Sequence, residues 1–85
     1  MGLVNKVVPA TELMATVMKT VETILTRAPI AVGSSKRSIN QGWDMDVEAA
    51  QKNEANIFAE LFNSDDVREG TTAFVEKRKA VFKGT

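Results

Sequence analysis

The sequence predicts an all-α fold, with a short N-terminal extended segment followed by about four helices. Three features carry that expectation. Apolar residues recur at helical spacing through most of the chain after Ala10. Helix-start signatures interrupt those stretches at Pro29, at Asp44 or Asp46, and at Ser64-Asp65-Asp66. The one run of strand character, Leu3-Val4-Asn5-Lys6-Val7-Val8, is short and stands alone.

That run is rich in β-branched residues and ends at Pro9, which has no N–H to give a ladder, so it reads as a short strand. A helical chain offers it no partner, and an unpaired edge is a pairing hazard. Residues 1–9 therefore stand apart as a short strand or linker, and residues 10–85 form the helical unit.

From Ala10 to Arg27, Leu13, Val17, Val21 and Ile24 define an apolar stripe that Met14, Met18 and Leu25 widen. Thr11 and Glu12 offer a capping hydroxyl and an early anion near its start. The interior is rich in Thr and Val, so propensity is moderate and packing has to hold this helix. Its methionines suit core filling, with the lining of a flexible apolar ligand pocket as the functional alternative.

Pro29 fits the first turn of a second helix and disfavours continuation of the first through Ala28. That helix is predicted to reach about Gln41, with Gly42 as its C-terminal cap. It carries Ile30, Val32 and Ile39 beside a Gly33-Ser34-Ser35 patch, which either admits a close backbone or merely weakens the helix. No GxxxxGK phosphate loop surrounds the patch. Lys36 and Arg37 read as a solvated face.

A third helix, capped by Asp44 or Asp46, is predicted to reach about Phe62. Its stripe is Val47, Ala50, Ile57, Phe58, Leu61 and Phe62, with Glu54 on the edge as a carboxylate that pairs with a cation or reaches water. Trp43 is expected to anchor the corner between helices two and three; left exposed, it would mark an interface. Ser64 then caps a fourth helix, followed by two first-turn anions. Val67, Phe74 and Val75 form its apolar side, with Lys77, Arg78 and Lys79 in its last turn.

With 85 residues the chain makes one small domain at most, and a domain of this size buries only about 60–65 % of its unfolded surface. The apolar fraction of 44% is ordinary for a globular protein. No apolar run approaches the roughly 20 residues that cross a bilayer. The start lacks a signal-peptide pattern, so a cytosolic or mitochondrial-matrix location is expected and no membrane partner. Eleven basic and eleven acidic side chains cancel, which argues against nucleic acid as a partner, because phosphate neutralisation needs a cationic surplus. Cysteine and histidine are both absent. Disulfides, the usual zinc sites and the usual neutral-pH general base therefore fall away, and no catalytic residue or metal site is assigned.

The candidate binding residues lie in the tail. On a continued helix Phe74 and Lys77 are three apart and share a face. A flat ring beside an ammonium suits a ligand with an aromatic base and a phosphate. A basic helix end is also a plain complement to the helix dipole.

The tail Ala73-Phe74-Val75-Glu76-Lys77-Arg78-Lys79-Ala80-Val81-Phe82-Lys83-Gly84 closely resembles the C-terminus of the enoyl-CoA hydratase (crotonase) family, which commonly ends in a phrase of that kind. Gly2-Leu3-Val4-Asn5-Lys6-Val7-Val8-Pro9 is similar to the strand that closes the family's catalytic core. Between them, Glu12-Leu13-Met14, Ala28-Pro29-Ile30-Ala31-Val32, Lys36-Arg37-Ser38-Ile39-Asn40 and Arg68-Glu69-Gly70 match family phrases in order and near-family spacing.

The resemblance implies the C-terminal helical segment of such an enzyme, with the oxyanion hole and the proton-moving acids in a core upstream. It implies reversible hydration of 2-enoyl-CoA to 3-hydroxyacyl-CoA in fatty-acid metabolism, an acyl-CoA thioester as substrate, and no further cofactor. Isomerases and other activities share the architecture; this ending is most typical of short-chain hydratases. The terminal helices would cover the acyl pocket and pack subunits into trimers, often paired as hexamers. Phe74 and Lys77 match positions that meet the CoA adenine and phosphates. The alternative is a non-enzymatic helical module that self-associates through exposed apolar faces. A helix-turn-helix DNA reader is disfavoured by the neutral charge.

Overall fold

A computed structural model describes residues 2–85; Met1, the first residue of the 1–9 segment, lies outside them. A 3-10 turn at Ala10–Glu12 leads into α1 (Leu13–Leu25), followed by α2 (Pro29–Gly42), α3 (Val47–Leu61) and α4 (Asp65–Val75). The all-α expectation therefore holds, and the four helices fall where the apolar periodicity puts them.

No strand forms among the described residues. Leu3–Val8 has the composition of a strand and nothing to pair with, and a ladder needs two edges. α1 starts without a side-chain cap, because its N-cap is Glu12 and Thr11 lies inside the preceding turn. At α3 the choice between aspartates falls on Asp46, whose carboxylate accepts from the Ala49 N–H at 2.8 Å. Ser64 caps α4 as its sequence requires, accepting from the Val67 N–H at 3.3 Å.

Gly42 does not close α2 as a left-handed cap. It is the helix's last residue, and Trp43 follows in right-handed helical geometry. Its lack of a side chain serves a close approach instead: a Cβ there would sit 3.4 Å from the Ala50 Cβ. That contact lies at the closed end of the α2–α3 hairpin. The pairings Arg37–Glu60 (2.8 Å) and Gln41–Asn53 (3.1 Å) run in opposite chain order, so the two helices are antiparallel. Arg37 is thus tied across the hairpin, although both partners are exposed and such a pair contributes about 0–1 kcal/mol.

Little of the apolar surface is covered. Ile57 and Ala73 are the buried apolar side chains among the described residues. The α1 stripe is open to solvent from Leu13 to Leu25, and among the helices α1 packs substantially only on its own leading turn. Phe58 and Phe62 stack edge to face at 5.2 Å between centroids, yet both remain exposed. Trp43, 85% exposed, does not anchor the α2–α3 corner. The molecule is a slab of 43 × 39 × 19 Å. No helix among the described residues is long and apolar enough to cross a membrane.

Candidate functional site

The end of α4 differs from its sequence expectation in a way that builds the site. The helix stops at Val75 with Glu76 as C-cap. Lys77, Arg78 and Lys79 therefore lie beyond it and do not form its last turn. The Lys77 N–H donates to the Phe74 carbonyl at 3.3 Å, and the Arg78 N–H reaches back to Ala73 at 3.0 Å. These two bonds make a Schellman termination, in which the residue after the C-cap turns left-handed. Glycine normally holds that position. Here it is Lys77, with φ of 54°, a conformation that costs a residue with a Cβ on the order of 1 kcal/mol.

The early stop coincides with a grip by Glu69, two turns back. Its carboxylate takes the Arg78 guanidinium in a two-pronged grip, at 2.6 and 3.1 Å. One of its oxygens also accepts the Val81 N–H at 2.9 Å. Arg78 holds Glu76 as well, through Nε at 2.6 Å. Planar guanidinium and carboxylate groups match in this geometry, which makes such forks stronger than point-charge pairs. A helix continued through Lys77 to Lys79 would carry Arg78 round the axis and break the grip.

The Arg78 fork, helped by the Val81 N–H, pulls the Glu69 carboxyl from the ordinary 4.5 down to about 2. The Arg78 guanidinium is in turn held still more firmly protonated by Glu69 and Glu76. Because the folded-state value of Glu69 lies below 4.5, its hold on the tail is complete above that pH and is lost as pH falls through about 2. In an NMR titration the Val81 amide shift should follow Glu69 with a midpoint near 2, well below exposed carboxylates. A midpoint near 4.5 would show that the fork does not form in solution.

Beyond Arg78 the chain reverses and runs back along α4. Asp66, only 4% exposed, accepts the Lys83 and Gly84 N–H groups on its two oxygens, both at 2.9 Å. Its own N–H donates to the Thr85 carbonyl at 3.1 Å. The Phe82 ring lies over Gly70, where a Cβ would sit 3.4 Å from its edge. At Gly84, with φ of +77°, an added Cβ would sit 3.5 Å from the Pro29 ring at the start of α2. The tail thus bridges α4 to the hairpin.

This arrangement sorts the cations. Arg78 is engaged internally, while Lys77, Lys79 and Lys83 enter none of the ion pairs among the described residues. Phe74, on the last turn of α4, is 85% exposed. The structure therefore keeps Phe74 and Lys77 both open to solvent, one on the helix and one on the turn that ends it. Their shared helical face is not retained. Sequence reasoning passed over Asp66 and Glu69, treated as a first-turn anion and as part of a motif. The available signal was the pair of glycines, Gly70 and Gly84, which a tail lying on a helix would need. Elsewhere, a cavity of about 490 Å³ opens between α2 and α3, lined by Ser34, Ser38, Ile39, Glu54, Ile57 and Phe58 among others. The α1 methionines are absent from that lining.

The chain belongs to the enoyl-CoA hydratase/isomerase family, whose model matches residues 1–85. It is 45% identical over 78 residues to the short-chain-enoyl-CoA hydratase of Clostridium acetobutylicum, a match covering 92% of this chain and 30% of that protein. It is 46% identical over 81 residues to the crotonyl-CoA hydratase of Syntrophomonas wolfei, covering 95% of this chain and 31% of that one. Among solved structures, the enoyl-CoA hydratase of Bacillus anthracis superposes with a TM-score of 0.92 at 33% identity, over 99% of this chain and 33% of that chain. The chain spans about 30% of the length of the curated relatives it matches. The all-helical architecture agrees with the C-terminal helical part of that fold.

Proposed function

We propose that these 85 residues serve as the C-terminal helical part of an enoyl-CoA hydratase-like enzyme, contributing subunit packing and part of the CoA site. The reaction is addition of water across the α,β double bond of an enoyl thioester, with acyl-CoA as substrate and no separate cofactor. Backbone N–H donors in the core would stabilise the enolate-like transition state, as oxyanion sites do. Phe74 and Lys77 would meet the nucleotide end of CoA, the ring on adenine and the ammonium on phosphate. The observation that carries this role is the exposed Phe74 next to a turn whose lysine enters no ion pair among the described residues. A cytosolic or matrix location fits that metabolism. The self-associating module reading shares the open apolar faces, but a whole-chain match to an enzyme family favours the enzyme.

This reading predicts that the 85-residue chain alone has no hydratase activity, because the oxyanion donors and paired acids belong to a core outside it. The assay is decay of the conjugated thioester absorbance with crotonyl-CoA. Turnover above the uncatalysed background would sink it.

In the enzyme carrying this segment, Lys77→Ala should weaken CoA-ester binding by roughly 1–3 kcal/mol, the range for losing a hydrogen bond to a charged group. The loss should fall on KM more than on kcat, because nucleotide contacts are alike in ground and transition states. Phe74→Ala should show the same bias, and Lys79→Ala and Lys83→Ala little effect. A pantetheine ester lacking the nucleotide is the control. Equal impairment of both esters by Lys77→Ala would mean that the ammonium does not read the nucleotide.

A further inference from the structure

We infer that Glu69 and Arg78 are positioning residues for the CoA nucleotide: their fork holds the left-handed turn that presents Lys77 to phosphate before the ligand arrives. The inference rests on the proposed contact between Lys77 and the nucleotide, and adds residues that need not touch it.

The geometry supports it from both sides of the turn. Lys77 has a backbone conformation that lysine does not prefer, and such conformations persist only where surrounding bonds over-determine them. The residue immediately after it, Arg78, is fastened by its N–H to Ala73, by its guanidinium to both oxygens of Glu69, and by Nε to Glu76. The far end of the loop is fastened to the same Glu69 through the Val81 N–H. One carboxylate on α4 thus anchors the chain on either side of the stretch from Lys79 to Ala80 and fixes the exit direction after Lys77. Its depressed protonation range keeps the fork ionised throughout the neutral range.

A preorganised turn matters because a lysine side chain is long and flexible. If the backbone beneath it also sampled several states, binding phosphate would have to order both. Freeing the turn should therefore weaken nucleotide binding without touching the chemistry at the thioester. Lysine at this position, where glycine would be relaxed, is explained if the side chain is the useful part.

The test is a double-mutant cycle in the intact enzyme that carries this segment, with crotonyl-CoA and crotonyl-pantetheine as substrates. Glu69→Gln removes the charge and one prong while keeping the shape. It should raise KM for the CoA ester by about fivefold, leaving kcat and the pantetheine-ester KM unchanged. Arg78→Lys, which keeps the charge and loses the fork, should do the same and serves if Glu69→Gln fails to assemble. Introduced on top of Lys77→Ala, either change should add nothing. An unchanged KM in both variants, equal losses on both esters, or full additivity with Lys77→Ala would overturn the positioning role. No effect of Lys77→Ala itself would instead overturn the nucleotide contact on which the role depends, so the two failures are separable.

Discussion

Asp66→Ala should release the tail from α4 and accelerate amide exchange at Lys83 and Gly84 by about 100-fold. The carboxylate is nearly sealed from water and accepts two backbone N–H groups, one on each oxygen. Its removal leaves both donors unpaired beneath the tail, at about 1–3 kcal/mol each if they stay there. The chain has a cheaper course, which is to lift the tail and hydrate them. The observed cost is therefore capped by whatever else docks the tail, namely the bond from the residue 66 N–H to the Thr85 carbonyl, Phe82 on Gly70 and the Glu69 grip on Val81. Asp66→Asn keeps one accepting oxygen and turns an amide NH₂ toward the other donor, so it should fall between wild type and Asp66→Ala. Wild-type exchange at Lys83 and Gly84 in the alanine variant would show that the tail is held without the Asp66 carboxylate.

The same residues show where the sequence was legible. Ser64, Asp46 and Pro29 act through neighbours three or four positions away, so a linear reading places the starts of α2, α3 and α4 within a residue or two. The ends were harder. Gly42 invited a left-handed cap and instead admits Ala50, while Lys77 takes the left-handed position with no glycine to announce it. Both outcomes depend on a partner distant in the chain: α3 for the glycine, and Glu69 with Arg78 for the lysine. Leu3–Val8 forms no strand among the described residues for the same reason, since composition supplies strand propensity and only a second edge makes a strand. Trp43 was assigned by its bulk to a corner that the helices do not cover. Phe74 and Lys77 were legible as an aromatic–cation pair, but the turn that separates them from a common helical face was not.

The isolated 85-residue chain should self-associate, because it leaves too much apolar surface open to persist as a monomer. Its accessible area is 7383 Å² for a mass of 9.3 kDa. A compact monomer of that mass exposes about 5,000 Å². The excess of roughly 2,400 Å² on each chain, or about 4,800 Å² for a pair, lies in the range of obligate subunit interfaces, about 2,000–5,000 Å² summed over both partners. The radius of gyration tells the same story, at 16.2 Å against about 12 Å for a compact chain of this length. Part of the surplus lies on α1, whose stripe of Leu13, Val17, Met18, Val21 and Ile24 faces solvent, and on Phe58, Phe62 and Trp43. In the proposed enzyme these faces would be covered by the core and by neighbouring subunits. Without them, a second copy is the nearest source of apolar surface, and exchange of α1 between chains is a low-cost route to it. Light scattering across a wide concentration range should show species larger than the 9.3 kDa monomer. Val17→Lys combined with Val21→Lys, on the middle of the α1 stripe, should shift the population toward monomer if that helix is the seam. A wild-type chain that stays strictly monomeric and melts cooperatively would mean that the helices close a core of their own, with α1 folded onto the α2–α3 hairpin.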